Sequence, residues 1–465
     1  MTMRISRRAF TGGLASLAAA GGPALLSAPG RAETPELEAR AGSAQLAPPD
    51  FPATAIWGYE GRVPGPVIRV RQGARVSRLF VNSLPQASSV HWHGIRIDNA
   101  MDGVPGLTQA AAPPGGSFLY DFVVPDAGTY WYHSHNRAWE QLARGLYGAL
   151  IVDEADGGPE VDRDEIMLID DWFLTEEAQI DPSFGAMGIR SHGGRIGNWV
   201  TINGAGEWRR EVRRHERFRL RLANAANARI LELGPHGLEG WIVALDGQPL
   251  AAPEPFERLL LAPAQRADLI VDATAEEGSD AFLVSVEREG VFSIAAFQVN
   301  GIMRQRRLAA PLPLEPNPIA QLHGLADARR ARLLMQGGAM GGMRSAILGG
   351  RETEFREMAA QGKVWAFNGV ADFPARPLLQ LATGEVARIT IVNETAWPHA
   401  MHLHGHHFRR IGREGALGPL RDTLLMDRQE TAEIAFVADN PGDWLLHCHM
   451  PEHSEGGMET WIRVG

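Results

Sequence analysis

The chain has 465 residues, too many for one ordinary domain and enough for two to four with substantial cores. Glycine (52) and proline (30) are abundant while hydrophobic residues stay at 45%, the composition of short strands joined by many turns. A formal charge of -10 leaves no basic field for a polyphosphate backbone, which argues against nucleic acid and for a small molecule or metal ion as partner.

The chain opens with Ser6-Arg7-Arg8-Ala9-Phe10, a weakly apolar stretch to Leu26, and Ser27-Ala28-Pro29-Gly30-Arg31-Ala32. That pattern predicts a twin-arginine signal peptide over 1–32, engagement of the Tat export machinery and a periplasmic location. No later run is apolar enough to span a bilayer.

A weak repeat follows, in which paired apolar strands end on an asparagine. The first copy runs from Gly61 through Ile68-Arg69-Val70, Gly73 and Leu79-Phe80-Val81 to Asn82; the last runs from Gly369 through Leu379-Gln380-Leu381, Gly384 and Ile389-Thr390-Ile391-Val392 to Asn393. In both, a glycine precedes the asparagine by nine residues. The middle copy, Phe218-Arg219-Leu220-Arg221-Leu222 to Asn224, has His215 in place of that glycine and alternates as a half-buried strand should. Copies 142 and 169 residues apart predict an all-β protein of three sandwich domains, at 33–155, 156–310 and 311–465. Helix is expected to be scarce, with one short piece within 136–144. The segment Leu334 to Met343, glycine-rich from Gly337 to Gly342, reads as a loop carrying Met335, Met340 and Met343, whose thioethers suit Cu(I).

Four His-x-His pairs stand out: His91/His93, His133/His135, His402/His404 and His447/His449. On a strand, residues two apart face one side, so each pair can aim two imidazoles at one place. The single cysteine, Cys448, lies between the last two and must face the opposite way. With His399, His453 and a weak axial Met458 it completes a two-histidine, one-cysteine site of the blue-copper kind.

The blocks HWHG (91–94), HSH (133–135), HAMHLHG (399–405) and HCHMPEHSEGGM (447–458) resemble the four copper-ligand blocks of the multicopper oxidases. The resemblance implies three cupredoxin-like Greek-key sandwich or barrel domains and four copper ions, one type 1, one type 2 and two type 3. It implies dioxygen and a small-molecule or metal-ion electron donor as partners. Carried over by position, His91 and His402 would hold the type 2 copper, His93, His133 and His449 one type 3 copper, and His135, His404 and His447 the other. The cluster would then lie between the first and third domains, with the middle one a spacer.

Asp102, shortly after HWHG, resembles the family's proton-relay aspartate. Many bacterial relatives carry a second relay glutamate immediately after the last type 1 histidine; this chain has Ser454 there, and Glu455, one residue on, is the candidate replacement. His192, His215, His236, His323, His406 and His407 have no partner at metal spacing and are assigned no copper. Thr395, Ala396, Trp397 and Pro398 replace the acidic residue and methionine that specialised cuprous oxidases carry before the first type 1 histidine, which points to a laccase-like pocket for phenols or aromatic amines. Periplasmic Cu(I) oxidation is the alternative. A copper-binding or structural cupredoxin protein without turnover is the alternative of another class, but variants of that kind lack ligands, and none is missing here.

Overall fold

In the computed structural model, which describes residues 34–288 and 290–465, the repeat asparagines Asn82, Asn224 and Asn393 are all buried and do the same work. Each side-chain amide donates to two backbone carbonyls where a strand leaves its sheet: Gln86 and Ala112, Arg229 and Leu261, Trp397 and Asp427. Each Oδ1 accepts from the amide two residues on, at Leu84, Ala226 and Thr395. Buried carbonyls that would lose their partners at the strand end are thereby satisfied.

The strands ending on these asparagines, Arg75–Asn82, Arg217–Asn224 and Val386–Asn393, share one pairing pattern. Each runs parallel to the strand that opens its copy: Glu36–Ala44, Arg163–Trp172 and Arg329–Gly337. Each is also antiparallel to a later one: Ser117–Val123, Arg266–Ala273 and Thr431–Val437. The sheets come as two of four strands in the first copy and a six- and a five-stranded sheet in each of the others, plus the hairpin Ser345–Leu348/Arg351–Glu354. Neighbouring strands are often distant in sequence, as Greek-key crossovers require. The fold is all-β and cupredoxin-like. The short helix Ala138–Gln141 lies where one was expected, no helix among the described residues is long and apolar enough to cross a membrane, and the signal predicted over 1–32 lies outside those residues.

Two expectations need correction. Arg217–Asn224 is buried on both faces rather than half-buried. Phe218, Leu220 and Leu222 join the middle core, while Arg217, Arg219 and Arg221 form a buried ladder with Asp272 (2.7 Å), Asp268 (2.6 Å) and Asp164 (2.7 Å). Arg221 also donates to Thr129 Oγ1 of the first copy, so this arginine face lies against a neighbouring sheet, where only paired charges are tolerated. Met335, in turn, is not in the glycine loop: it is buried in the strand Arg329–Gly337, opposite Phe367. Met340 is 78% exposed, and Met343 packs beside Ala346, Leu348 and Met358.

Candidate metal centre

The strand His91–His93 pairs antiparallel with Gly128–His133 and sets His91 opposite His133. In the last copy His399–Leu403 pairs with Gly442–Cys448, setting His402 opposite His447 and Met401 opposite Cys448. His135, His404 and His449 each lie just past a strand end, so only His91/His93 occupies a strand throughout. That turn at the second ring lets imidazoles from two sheets close around one centre instead of lining two flat faces.

All eight rings come together. His91, His402 and His404 form one group whose nitrogens lie within 4.8 Å of one another; His91, His93 and His133 form a second; His135, His404 and His447 form a third. The third is one of the expected triples. The other appears in parts, with His93 beside His133, and His133 Nε2 3.2 Å from His449 Nε2. His404 Nε2 and His447 Nε2 are 3.1 Å apart.

Burial, with the neighbouring imidazoles adding to it, holds the proton affinities of His93, His133, His404, His447 and His449 well below the usual histidine range and lowers His135 to about 3. Burial thus favours the neutral form of these six rings, the form that ligates metal. His91 Nε2, His93 Nδ1, His402 Nε2 and His449 Nδ1 are buried without any hydrogen-bond partner. Orphaned nitrogens cost free energy unless something is bound to them, and a set of imidazoles at this spacing fits copper.

Backbone and carboxylate groups choose which nitrogen faces inward. His91 Nδ1 donates to the Asp102 carbonyl (2.8 Å) and His402 Nδ1 to the Asp422 carbonyl (2.9 Å), freeing Nε2 in both. The carboxylate of Asp102, the first relay candidate, lies 3.2 Å from His91 Nδ1 and 3.0 Å from His404 Nδ1.

The second relay candidate, Glu455, lines the cleft beside His447. Glu455 is exposed. His447 Nδ1 is instead 3.2 Å from Ser454 Oγ, which donates to Glu459 Oε1 at 2.7 Å. Burial raises the proton affinity of Glu459. Its strand, Glu459–Val464, pairs with Gly442–Cys448 so that Glu459 is the register partner of His447, a relation that local spacing does not reveal. Glu455 and Glu459 line one cleft with His135, His447 and Trp139.

On the far side of the same strand, Cys448 Sγ lies 3.6 Å from His399 Nδ1 and 3.8 Å from His453 Nδ1. The outer nitrogens are held: His399 Nε2 lies 2.8 Å from Thr395 Oγ1, and His453 Nε2 donates to the His192 carbonyl at 2.8 Å. Both Nδ1 atoms, 3.0 Å apart, thus face the sulfur. Met458 is buried in the same core cluster, and its carbonyl accepts from the Cys448 amide. Burial pushes the thiol up to about 12, so a cation at the sulfur is needed to keep it a thiolate at neutral pH.

Several contributors carried no signal in the sequence. The carbonyl of His192 caps His453, and the exposed His192 ring packs on Trp397 at 5.2 Å. Trp397 Nε1 donates to the Ala339 carbonyl beside Met340. Glu452 is buried, accepts from the Gly185 amide and faces Arg190, pinning this loop of the middle copy over the cysteine site. His192, His215, His236, His323, His406 and His407 join no metal-type group among the described residues.

Family profiles described as multicopper oxidase match residues 40–157, 163–303 and 351–465. A solved structure, Lac15 from a marine microbial metagenome, is 41% identical, with 93% of this chain and 100% of that one covered and a TM-score of 0.76. The multicopper oxidase MmcO of Mycobacterium tuberculosis is 29% identical, covering 88% of this chain and 83% of its own. Copper resistance protein A of Pseudomonas syringae pv. tomato is 25% identical over the full length of both.

Proposed function

As a member of the multicopper oxidase family this chain is a copper-dependent oxidoreductase with dioxygen as acceptor, and we propose that it couples four one-electron oxidations of a phenolic or other aromatic donor to reduction of dioxygen to water. The observation that carries this reading is the convergence of eight imidazoles from two sheets, joined through the single residue Cys448 to a cysteine–histidine triad.

We assign His399, Cys448, His453 and Met458 to a type 1 copper, His91 and His402 to a type 2 copper, and His93, His133, His449 and His135, His404, His447 to the two type 3 coppers. Bound there, copper would supply the one-electron redox chemistry by which four donor electrons and four protons turn one dioxygen into two waters.

The protein's own groups do the rest. Cys448 sets the triad one peptide link from His447 on one side and His449 on the other. Asp102 orients His91 and His404 and holds a carboxylate where protons are consumed. Ser454 Oγ bridges His447 Nδ1 and Glu459 Oε1 and forms a path for protons from the cleft. Over the triad, the His192 and Trp397 rings, 5.2 Å apart and tilted by 59°, offer an aromatic lining for an aromatic donor, one hydrogen bond from His453.

A second reading, Cu(I) as donor, is favoured by the exposed Met340 beside that surface and by the similarity to copper resistance protein A. We further infer three domains at 33–155, 156–310 and 311–465, a reading that the three matching pairs of sheets support. Export by the Tat machinery to the periplasm is inferred from the motif in 1–32.

Metal analysis with parallel oxygen-uptake kinetics tests the proposal. Four coppers per chain, an intense thiolate absorption and faster uptake with a phenol than with Cu(I) or Fe(II) are expected. Two coppers or fewer would overturn the site assignment, and rapid turnover of Cu(I) alone would replace the organic donor.

A further inference from the structure

The middle copy contributes no imidazole to the cluster, yet Arg266, the first residue of the strand Arg266–Ala273, ends beside it with no exposed surface. Its Nε donates to the Thr129 carbonyl of the first copy (3.2 Å) and its Nη1 to the Ala264 carbonyl of the middle copy (3.1 Å). Nη1 and Nη2 also grip the two carboxylate oxygens of Asp422 in the last copy, at 2.9 and 2.6 Å. One guanidinium therefore touches all three copies. Gly94, with φ at +84°, makes the room: a Cβ there would lie 2.1 Å from Nη2 and 2.5 Å from Asp422 Oδ2. The glycine of HWHG is thus explained by an arginine 172 positions later in the chain.

Asp422 faces two cluster histidines. Its Oδ1 lies 3.3 Å from His93 Nε2 and 3.6 Å from His402 Nδ1, and its carbonyl accepts from His402 Nδ1 at 2.9 Å. The two rings stack at 3.8 Å with an interplanar angle of 20°, leaving His93 Nδ1 and His402 Nε2 without partners. Next to this, the pairing recurs in the opposite sense: Arg421 Nε of the last copy donates to Asp246 Oδ2 of the middle copy at 2.6 Å.

We propose that Arg266 is a positioning residue for the copper cluster: its two-pronged grip fixes the plane of the Asp422 carboxylate, and Asp422 fixes the ring planes and inward-facing nitrogens of His93 and His402. A planar guanidinium can impose this orientation, and a lysine ammonium, which holds charge at a point, cannot. The middle domain is then part of the oxygen-reducing site and more than a spacer. The inference rests on the reading that these imidazoles hold copper.

The test compares wild type, Arg266→Gln, Arg266→Lys, Asp422→Asn and Arg421→Gln as copper-loaded full chains, by copper stoichiometry after dialysis against a chelator and by the EPR hyperfine splitting of the type 2 copper. Arg266→Gln is expected to lose at least half of its type 2 copper and to shift the splitting of what remains, while the blue absorption keeps its wild-type intensity per chain. Arg266→Lys should fall between and carries the test if the glutamine variant does not fold. Adding Arg266→Gln to Asp422→Asn should shift the splitting no further. Arg421→Gln removes a neighbouring ion pair of the same interface and should lower the melting temperature without changing the EPR signal. Wild-type splitting and chelator resistance in both Arg266 variants would overturn the proposal and leave Arg266 an interface residue. A wild type without a type 2 signal would overturn the underlying copper assignment instead.

Discussion

The carboxylate of Asp102 lies 3.0 Å from Nδ1 of His404, a residue 302 positions away in the chain. The same residue accepts at its carbonyl from His91, so one aspartate of the first copy orients a ring of its own copy and a ring of the last. Asp102→Asn keeps the size and removes the charge and proton capacity. It is expected to slow dioxygen reduction by roughly 10²-fold or more, the usual worth of a positioned acid–base group. Anaerobic bleaching of the blue colour by a donor should change little, and equal slowing of both half-reactions would remove Asp102 from proton delivery.

Cys448 and the two flanking histidines point to opposite sides of one strand end, so the sulfur site and the cluster have separate donor sets. Cys448→Ser should abolish the blue colour and donor oxidation while most cluster copper stays bound. Loss of all copper in that variant would show the division of ligands to be wrong.

Ser454 and Glu459 extend from His447 into the cleft. Ser454→Ala and Glu459→Gln are each expected to slow dioxygen reduction by roughly tenfold or more, again without affecting anaerobic bleaching. Steady-state oxygen uptake at saturating donor, with Glu455→Gln beside them, decides between the two glutamates. A defect confined to Glu455→Gln would restore the residue that spacing alone suggests.

Met340 is exposed on the loop beside Trp397, whereas Met343 is partly covered and Met335 lies in the core. If the loop captures Cu(I), Met340→Leu with Met343→Leu should raise the KM for Cu(I) several-fold and leave phenol oxidation near wild type, because leucine keeps the bulk and removes only the sulfur. An unchanged Cu(I) profile would leave the loop without a role in metal capture.

Asn224 satisfies two backbone carbonyls and one amide in the middle core. Asn224→Ala leaves these groups buried and unpaired, which should cost about 2–4 kcal/mol. A denaturant titration with an unchanged midpoint would show that water or a shifted backbone replaces the side chain.

The candidate ligands are legible in the sequence because they reside in short blocks. Within a strand the period of two dictates that His91 and His93 share a side and that Cys448 opposes its neighbours, whatever the rest of the chain does. The repeat was legible for a related reason: each asparagine caps its own strand end through a carbonyl that the local turn brings to it, so the same residue recurs in all three copies. The contact chain from His447 to Glu459 has no signature in local spacing because it is a cross-strand register, and Met335 reads as part of the loop because a glycine-rich composition does not show where the preceding strand ends.

What the sequence determined by itself, then, was the chemistry of the donors, their grouping into pairs and the all-β fold that repeats the same strand pattern. Only the tertiary structure decided which nitrogen of each ring faces inward, which carboxylate meets which imidazole, and that Arg266 of the middle copy reaches Asp422 156 positions away. Charged residues are common and carry no periodic mark, and their pairing depends on how finished sheets dock. Once docking strips away water, an unpaired Arg266 or Asp422 would be costly, and the packed interface leaves them each other as partners.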